Sequence, residues 1–135
     1  MMESLRILYV DDDVLASRFM KRILADAREA DVSFARCGSE AVEVLEKERF
    51  DVVLSDFLMP GMDGVDLLEE VLRLQPWARR MLFTATPDAV RVQAARRAKL
   101  AHRVLPKPST AAEIREALGV EAGPRSPTPR GTPMI

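Results

Sequence analysis

Short apolar runs alternate with helix-like segments through residues 5–119, and this alternation constrains the fold more than any other feature. Short aliphatic and aromatic runs bounded by polar residues indicate buried strands, whereas apolar residues at spacings of three and four indicate helices. Because strand–helix–strand units cross over with a single hand, the pattern predicts a parallel α/β sheet with helices on both faces. The predicted strands are residues 5–10, 32–35, 51–55, 80–84 and 103–105.

The first connecting segment contains apolar residues that fall on one face of a helix, and we predict that this face packs into the core. Its members are Val14, Leu15, Phe19, Met20, Ile23, Leu24 and Ala27. Capping residues and breakers mark the other helices. The predicted signals are Gly38-Ser39 as the N-cap after which the second helix begins, Gly64 and Pro76 as the limits of the third, Thr86-Pro87-Asp88 as the start of the fourth, and Ser109-Thr110 and Gly119 as the limits of the fifth.

One domain is expected, because 135 residues can bury a single core but are too few for two domains of ordinary size. Residues 4–119 are predicted to form it, and residues 120–135, which contain four prolines, are predicted to form a flexible tail or linker. The single cysteine, Cys37, rules out an internal disulfide. The first residues contain no long apolar stretch, so we expect no signal peptide, no membrane span and a cytoplasmic location.

Charge is unevenly distributed along the chain. Residues 1–70 contain 8 Lys and Arg against 17 Asp and Glu, whereas residues 71–135 contain 12 against 4. The basic residues of the second half are not interleaved with aromatic residues, and we interpret them as a solvated helix face. A docking surface for an acidic partner is the alternative, and direct nucleic-acid binding is not expected.

Acidic residues follow two of the predicted strands. Asp56 ends the third strand, and Asp11, Asp12 and Asp13 follow the first. Parallel strands bring their carboxyl ends to one edge of the sheet, where such folds bind ligands, so these carboxylates are expected to meet. Carboxylates that converge repel one another unless a cation neutralises them, and oxygen ligands suit Mg²⁺. The pattern predicts a magnesium-dependent site that accepts a phosphoryl group.

These motifs resemble the receiver domains of bacterial two-component response regulators, including the chemotaxis receivers. The resemblance covers residues 5–119 and rests on the acidic pair Asp11-Asp12, on Asp56, on Thr84 and on Lys107-Pro108, each at the end of its own strand. It implies a flavodoxin-like, doubly wound sheet of five parallel strands in the order 2-1-3-4-5, with five helices. It also implies signalling by phosphorylation of the domain itself, without turnover of a separate substrate.

The resemblance assigns a role to each residue of these motifs. Asp56 is implied to be the phosphoacceptor, while Thr84 and Lys107 would contact phosphoryl oxygens. The implied Mg²⁺ ligands are Asp11, Asp12, Asp56 and the backbone carbonyl of Leu58. The implied partners are a sensor histidine kinase or phosphotransfer protein and a downstream protein that the sequence does not identify. Asp13 is expected to turn outward and cap the first helix.

Two other functions fit part of the sequence. A haloacid-dehalogenase-type phosphatase would use Asp11 and Asp13 of a D-x-D motif that Val14 follows, but it needs a further acidic motif after Lys107. Beyond that lysine the only acids are Glu113, Glu116 and Glu121, in the last predicted helix and the tail. A receiver-like interaction module that no longer uses phosphorylation is the second alternative, and the complete set of site residues disfavours it.

Three residues and one segment differ from the usual receiver pattern or add detail to it. Val104 stands where many receivers carry an aromatic switch residue, and we predict that the state of the site is transmitted without rotation of such a ring. Leu58 and Thr86 occupy positions that affect the lifetime of the acyl phosphate in the family. Residues 101–108 resemble the end of receivers that are joined to HD-type output domains.

Overall fold

The computed structural model describes residues 4–25 and 30–120 and contains one parallel five-stranded sheet. The strand order is β2-β1-β3-β4-β5, which confirms the predicted order, and the observed strand limits lie within two residues of the predicted ones. Five helices connect and follow the strands. The elements are β1 (Leu5–Val10), α1 (Val14–Ala25), β2 (Ala30–Ala35), α2 (Gly38–Leu45), β3 (Val52–Ser55), α3 (Gly64–Leu74), β4 (Arg79–Thr84), α4 (Val90–Arg97), β5 (Arg103–Pro106) and α5 (Ala111–Leu118).

The sheet separates two apolar clusters because successive side chains of each strand point to opposite faces. On β1, Leu8 and Val10 pack with α2, α3 and α4 in one cluster. Ile7 and Tyr9 pack with α1 and α5 in the other. Strands that are buried on both faces explain why the runs are almost continuously apolar, as is expected of a parallel sheet.

The caps of α3 and α5 show how a few neighbouring residues determine where a helix begins and ends. Thr110 begins α5 with a capping box, in which its hydroxyl accepts from the Glu113 N–H and the Glu113 carboxylate accepts from the Thr110 N–H. Gly119 ends that helix at φ 78°, a conformation that glycine adopts without steric cost. Both predictions are confirmed. Asp63 forms an equivalent capping box at α3, which is not among the signals predicted from the sequence.

Two predicted helix starts are wrong. At α2 the N-cap position is Cys37 rather than Ser39, and no side chain caps it. The nearby Glu40 carboxylate instead accepts from the Arg36 N–H. At α4 the helix begins at Val90 and not at Thr86, because the Thr86 hydroxyl bonds to Thr84 and its carbonyl accepts from the Ala89 N–H in a preceding turn.

The prediction that the whole apolar face of α1 enters the core is wrong for its first half. Met20, Ile23 and Leu24 are buried, but Val14, Leu15 and Phe19 are 58%, 71% and 48% exposed. Val14 and Leu15 lie in the first turn of α1, and Phe19 borders a groove that Phe83 and Lys107 also line. Ala27 lies outside the described residues.

The packed part of the chain extends slightly beyond the predicted domain limit. Val120, the first residue of the predicted tail, is 9% exposed and belongs to the cluster under α1 and α5. The rest of the predicted tail, residues 121–135, lies outside the described part of the chain. Within the described ranges, no helix combines the length and the apolar character that crossing a bilayer requires.

Candidate functional site

Hydrogen bonds that continue the sheet beyond its strands hold the candidate site at the carboxyl edge. The Asp11 N–H donates to the Ala35 carbonyl at 3.1 Å, and the Asp56 N–H donates to the Val10 carbonyl at 2.9 Å. The Lys107 N–H donates to the carbonyl of Thr84, the last residue of β4, at 2.9 Å. The backbones that carry the predicted site residues are therefore fixed by the same ladder that holds the strands.

Three carboxylates meet at this edge. Asp11, Asp12 and Asp56 each offer an oxygen, and these oxygens all lie within 4.8 Å of one another. Asp11 is fully buried, Asp12 is exposed, and the side chain of Asp56 is 14% exposed. With Lys107 beside them, the group carries a formal excess of two negative charges. A set of hard oxygen donors with such an excess fits a divalent cation such as Mg²⁺.

Asp13 does not belong to this group. Its Oδ1 accepts hydrogen bonds from the N–H groups of Leu15 at 2.9 Å and Ala16 at 3.4 Å, so the carboxylate caps the first turn of α1. The prediction that Asp13 turns away from the site to cap the helix is confirmed.

Lys107 contacts two of the three acids. Its Nζ lies 3.0 Å from Asp11 Oδ2 and 3.5 Å from Asp56 Oδ2. The side chain is 22% exposed, and its Nζ also lies 5.1 Å from the centre of the Phe83 ring. The peptide bond that joins it to Pro108 is cis. The lysine can therefore neutralise charge on either carboxylate with a small movement.

Asp56 is partly buried, and few groups around it stabilise its negative charge. Burial raises the pKa of its carboxyl above the ordinary value; Lys107 opposes this effect and the nearby Asp11 adds to it. The Phe57 N–H donates to Asp56 Oδ1 at 2.8 Å and orients the group. A carboxylate that is reachable and only partly stabilised is suited to nucleophilic attack when a cation shares its charge.

Thr84 ends β4 at the same edge of the sheet, and its hydroxyl is hydrogen-bonded to the loop that follows. It is 1% exposed, and its Oγ1 accepts from the Thr86 N–H at 3.0 Å and lies 3.1 Å from Thr86 Oγ1. The side chain of Leu58, whose carbonyl is an implied cation ligand, is 62% exposed. The structure thus brings Asp11, Asp12, Asp56 and Lys107 together and turns the Thr84 hydroxyl toward the loop after β4.

Tyr9 is a neighbour of the site that is not among the residues predicted from the sequence. Its buried hydroxyl donates to Asp11 Oδ2 at 2.6 Å. Burial, together with the adjacent Asp11 carboxylate, raises the pKa of the Tyr9 phenol, so the hydroxyl keeps its proton. The period-two alternation of strands places positions 9 and 11 on the same side, and this pattern is the signal that could have revealed the contact.

Comparisons with known proteins identify the family to which this chain belongs. The sequence matches the response regulator receiver domain family over residues 7–119. Chemotaxis protein CheY-3 of Vibrio cholerae is 32% identical over 117 residues, which cover 86% of this chain and 90% of that protein. A response regulator receiver protein of Anaeromyxobacter sp. strain Fw109-5 is 40% identical over 103 residues, which cover 76% of this chain but only 42% of that protein.

A solved structure agrees with the sequence relatives. The signal receiver domain of an HD domain-containing protein from Pseudomonas fluorescens Pf-5 has a TM-score of 0.80 and 28% identity, and the match covers 87% of this chain and 93% of that one. The doubly wound sheet and the acids and lysine at its carboxyl edge define a phosphoacceptor signalling domain. The chain belongs to the response regulator receiver domain family, as the motifs at its strand ends predict.

Proposed function

We propose that Asp56 accepts a phosphoryl group in a reaction that requires Mg²⁺, and that its phosphorylation controls the binding of a partner protein. The observation that carries this proposal is the cluster in which Asp56, two other acids and Lys107 meet. Asp56 is the better acceptor because its side chain is 14% exposed, whereas that of Asp11 is fully buried. The only reaction proposed is the phosphorylation and dephosphorylation of the domain itself.

The proposed transfer is an in-line displacement. A carboxylate oxygen of Asp56 attacks the phosphorus of a phosphohistidine on the donor protein, and an O–P bond forms as the P–N bond breaks. The imidazole leaves and takes up a proton. Lys107, 3.5 Å from Asp56 Oδ2, neutralises charge on the transferred group, and the Thr84 hydroxyl exchanges its bond with Thr86 for one to a phosphoryl oxygen.

The proposed Mg²⁺ ligands are the carboxylates of Asp11, Asp12 and Asp56 and the backbone carbonyl of Leu58. The close approach of the three carboxylates supports this set, because oxygen ligands suit Mg²⁺. When bound, the ion supplies charge neutralisation and alignment of the phosphate oxygens. Asp13 is left out because its carboxylate caps α1.

The proposed donor is a sensor histidine kinase or a phosphotransfer protein that docks against the first half of α1. Val14, Leu15 and Phe19 are exposed there, and Phe19 borders a groove of about 420 Å³ that Lys107 and Pro108 also line. A donor that reaches Asp56 must cover this edge of the sheet, so the encounter would bury these apolar side chains. A Phe19→Asp variant should therefore lose transfer from a protein donor and keep transfer from acetyl phosphate.

The proposed output passes through the loop after β4 and through α4. Val104 is partly buried and is too short to fill space that Thr84 would vacate. Arg91 on α4 makes hydrogen bonds of 3.0 Å to Asp63 and Asp66 at the start of α3, so these two helices are joined near the site. Phosphorylation that draws Thr84 away from Thr86 would move the loop after β4. This movement would shift the equilibrium between positions of α4, and a partner would bind one of these positions better than the others.

The phosphatase alternative is not favoured. It requires Asp11 and Asp13 to act on one substrate, but Asp13 Oδ1 accepts two backbone hydrogen bonds at the start of α1. The carboxylates that gather with Asp11 are those of Asp12 and Asp56.

The proposal is tested by locating the phosphoryl group after reaction with phosphoramidate, whose P–N bond resembles that of phosphohistidine. Borohydride reduction converts an aspartyl phosphate to homoserine, and peptide mass spectrometry then reads its position. We expect the label at Asp56 in the presence of Mg²⁺ and none after chelation. Label at another residue, or label that is independent of Mg²⁺, would refute the assignment.

A further inference from the structure

The hydroxyl of Tyr9 lies in the site, but it has no role in the phosphoryl transfer proposed above. The residue is fully buried, and its hydroxyl donates to Asp11 Oδ2 at 2.6 Å. We propose that Tyr9 is a positioning residue that fixes the Asp11 carboxylate for Mg²⁺ and allows Lys107 to leave Asp11 when a phosphoryl group arrives. This inference rests on the proposed function of the Asp56 site.

The hydrogen bonds of Asp11 support this role. Oδ2 accepts from the Tyr9 hydroxyl and from Lys107 Nζ, at 2.6 Å and 3.0 Å, and Oδ1 accepts from the Asp13 N–H at 3.0 Å. Each carboxylate oxygen can accept about two hydrogen bonds. Oδ2 is therefore fully used in this state, and the orientation of the carboxylate is fixed from both ends.

The shared oxygen links Tyr9 to the movement of Lys107. If Lys107 turns from Asp11 to a phosphoryl oxygen, Oδ2 of a fully buried carboxylate loses a charged donor. A buried acceptor without a partner is costly, so a second donor on the same oxygen reduces the cost of that movement. Without the Tyr9 hydroxyl, Lys107 would be the remaining side-chain donor to Oδ2 and would be held more tightly by Asp11.

The ring of Tyr9 is held by its neighbours, so the hydroxyl is a fixed donor. Tyr9 lies opposite Phe34 in the β1–β2 register, and the two rings meet edge to face with centroids 5.9 Å apart. Tyr9 also belongs to the cluster that contains Met20 and Ile114 from the helices on this face. A donor that is locked by packing around it preorganises the carboxylate that it contacts.

The test compares Tyr9→Phe, which removes only the hydroxyl, with Phe34→Leu, which weakens the ring packing and keeps the hydroxyl. Calorimetric titration of the 135-residue chain with Mg²⁺ alone measures affinity, and the rate with acetyl phosphate at saturating Mg²⁺ measures transfer. We expect Tyr9→Phe to weaken Mg²⁺ binding on the order of tenfold, the lower end of losses from outer-shell hydrogen bonds, and to slow transfer at saturation. Phe34→Leu should lower the thermal midpoint and weaken Mg²⁺ binding much less than Tyr9→Phe, because Met20 and Ile114 still pack in the cluster that holds the Tyr9 ring.

The outcomes separate this inference from the proposed function. Equal Mg²⁺ affinity in wild type and Tyr9→Phe would overturn the positioning role, whatever happens to the thermal midpoint. Equal losses of affinity in Tyr9→Phe and Phe34→Leu would also overturn it, since packing alone would then explain the effect. A wild-type chain that accepts no phosphoryl group would refute the function of Asp56, while the calorimetric comparison would still decide the role of Tyr9.

Discussion

Gly64 should be essential for the position of the phosphoacceptor. It is the first residue of α3, and its N–H donates to the Phe57 carbonyl at 2.7 Å. A Cβ at this position would overlap the Asp56 carbonyl oxygen and would lie 2.9 Å from Leu82 Cδ2 and 3.0 Å from Phe57 Cα. Two of these three neighbours are backbone atoms, so no change of rotamer relieves the overlap. Gly64→Ala must therefore displace the chain at Asp56 or the start of α3.

The expected size of the effect follows from these contacts. Overpacking that forces a backbone shift costs about 3 kcal/mol at the upper end of its usual range. For a domain of this size that loss lowers the thermal midpoint by roughly 12 °C, since 1 kcal/mol corresponds to about 4 °C. A displacement of Asp56 near 1 Å would slow phosphoryl transfer on the order of 100-fold.

Gly38→Ala is the matched control because Gly38 is also the first residue of its helix. The three atoms nearest to a Cβ at this position all belong to the Met62 side chain, at 2.7 to 2.9 Å, and they include the Met62 Cβ, so the loop that carries Met62 must shift. No atom of Asp56 is among these three, and we expect a loss of about 1 to 3 kcal/mol, the range for overpacking, with a nearly normal transfer rate. Thermal melts and acetyl phosphate kinetics measure both effects. If the two variants melt together and react at the same rate, the reasoning about Gly64 fails.

Three further predictions follow from the site. Asp12→Ala should weaken Mg²⁺ binding in calorimetry, whereas Asp13→Ala should keep it and lose about 1 kcal/mol of helix capping in thermal melts; equal losses of affinity would contradict this assignment. Burial raises the pKa of Asp56 in the folded state, so its ionised form opposes folding. Asp56→Asn should therefore raise the midpoint of urea unfolding at pH 7. This gain should vanish below about pH 4, where the carboxyl of the unfolded chain is also protonated. No gain at pH 7 would count against it. When beryllofluoride is added as a phosphoryl mimic, the rates of amide hydrogen exchange should change most at residues 85–97 and little at residues 103–105. The reverse pattern would show that β5 transmits the signal and would contradict the proposed output.

The sequence predicts the sheet well because its information is local and repeated. Each buried strand is a short apolar run, and the residue after β1 and β3 is an acid that the parallel topology brings to one edge. Thr110 and Gly119 are equally local signals, since a cap and a positive φ depend on a few neighbouring residues. The convergence of Asp11 and Asp56 was therefore predictable before any contact was known.

The remaining features depend on contacts between distant elements. Periodicity places Leu15 and Phe19 on the apolar face of α1, but it does not show which part of that face other elements cover. The start of α4 was misplaced because the Thr86 hydroxyl bonds to Thr84 instead of capping a helix. The contact of Tyr9 with Asp11 was missed because an aromatic residue in a strand is usually a packing residue, although the period-two alternation places positions 9 and 11 on the same side.

Intact mass measurement tests the central claim most directly. The 135-residue chain and its Asp56→Asn variant are incubated with acetyl phosphate, each with Mg²⁺ and with EDTA. The proposal predicts a mass gain of one phosphoryl group in the wild-type chain with Mg²⁺, and no gain in the variant or after chelation. A gain that persists in Asp56→Asn, or that is unaffected by EDTA, would contradict the assignment of Asp56 as a magnesium-dependent phosphoacceptor.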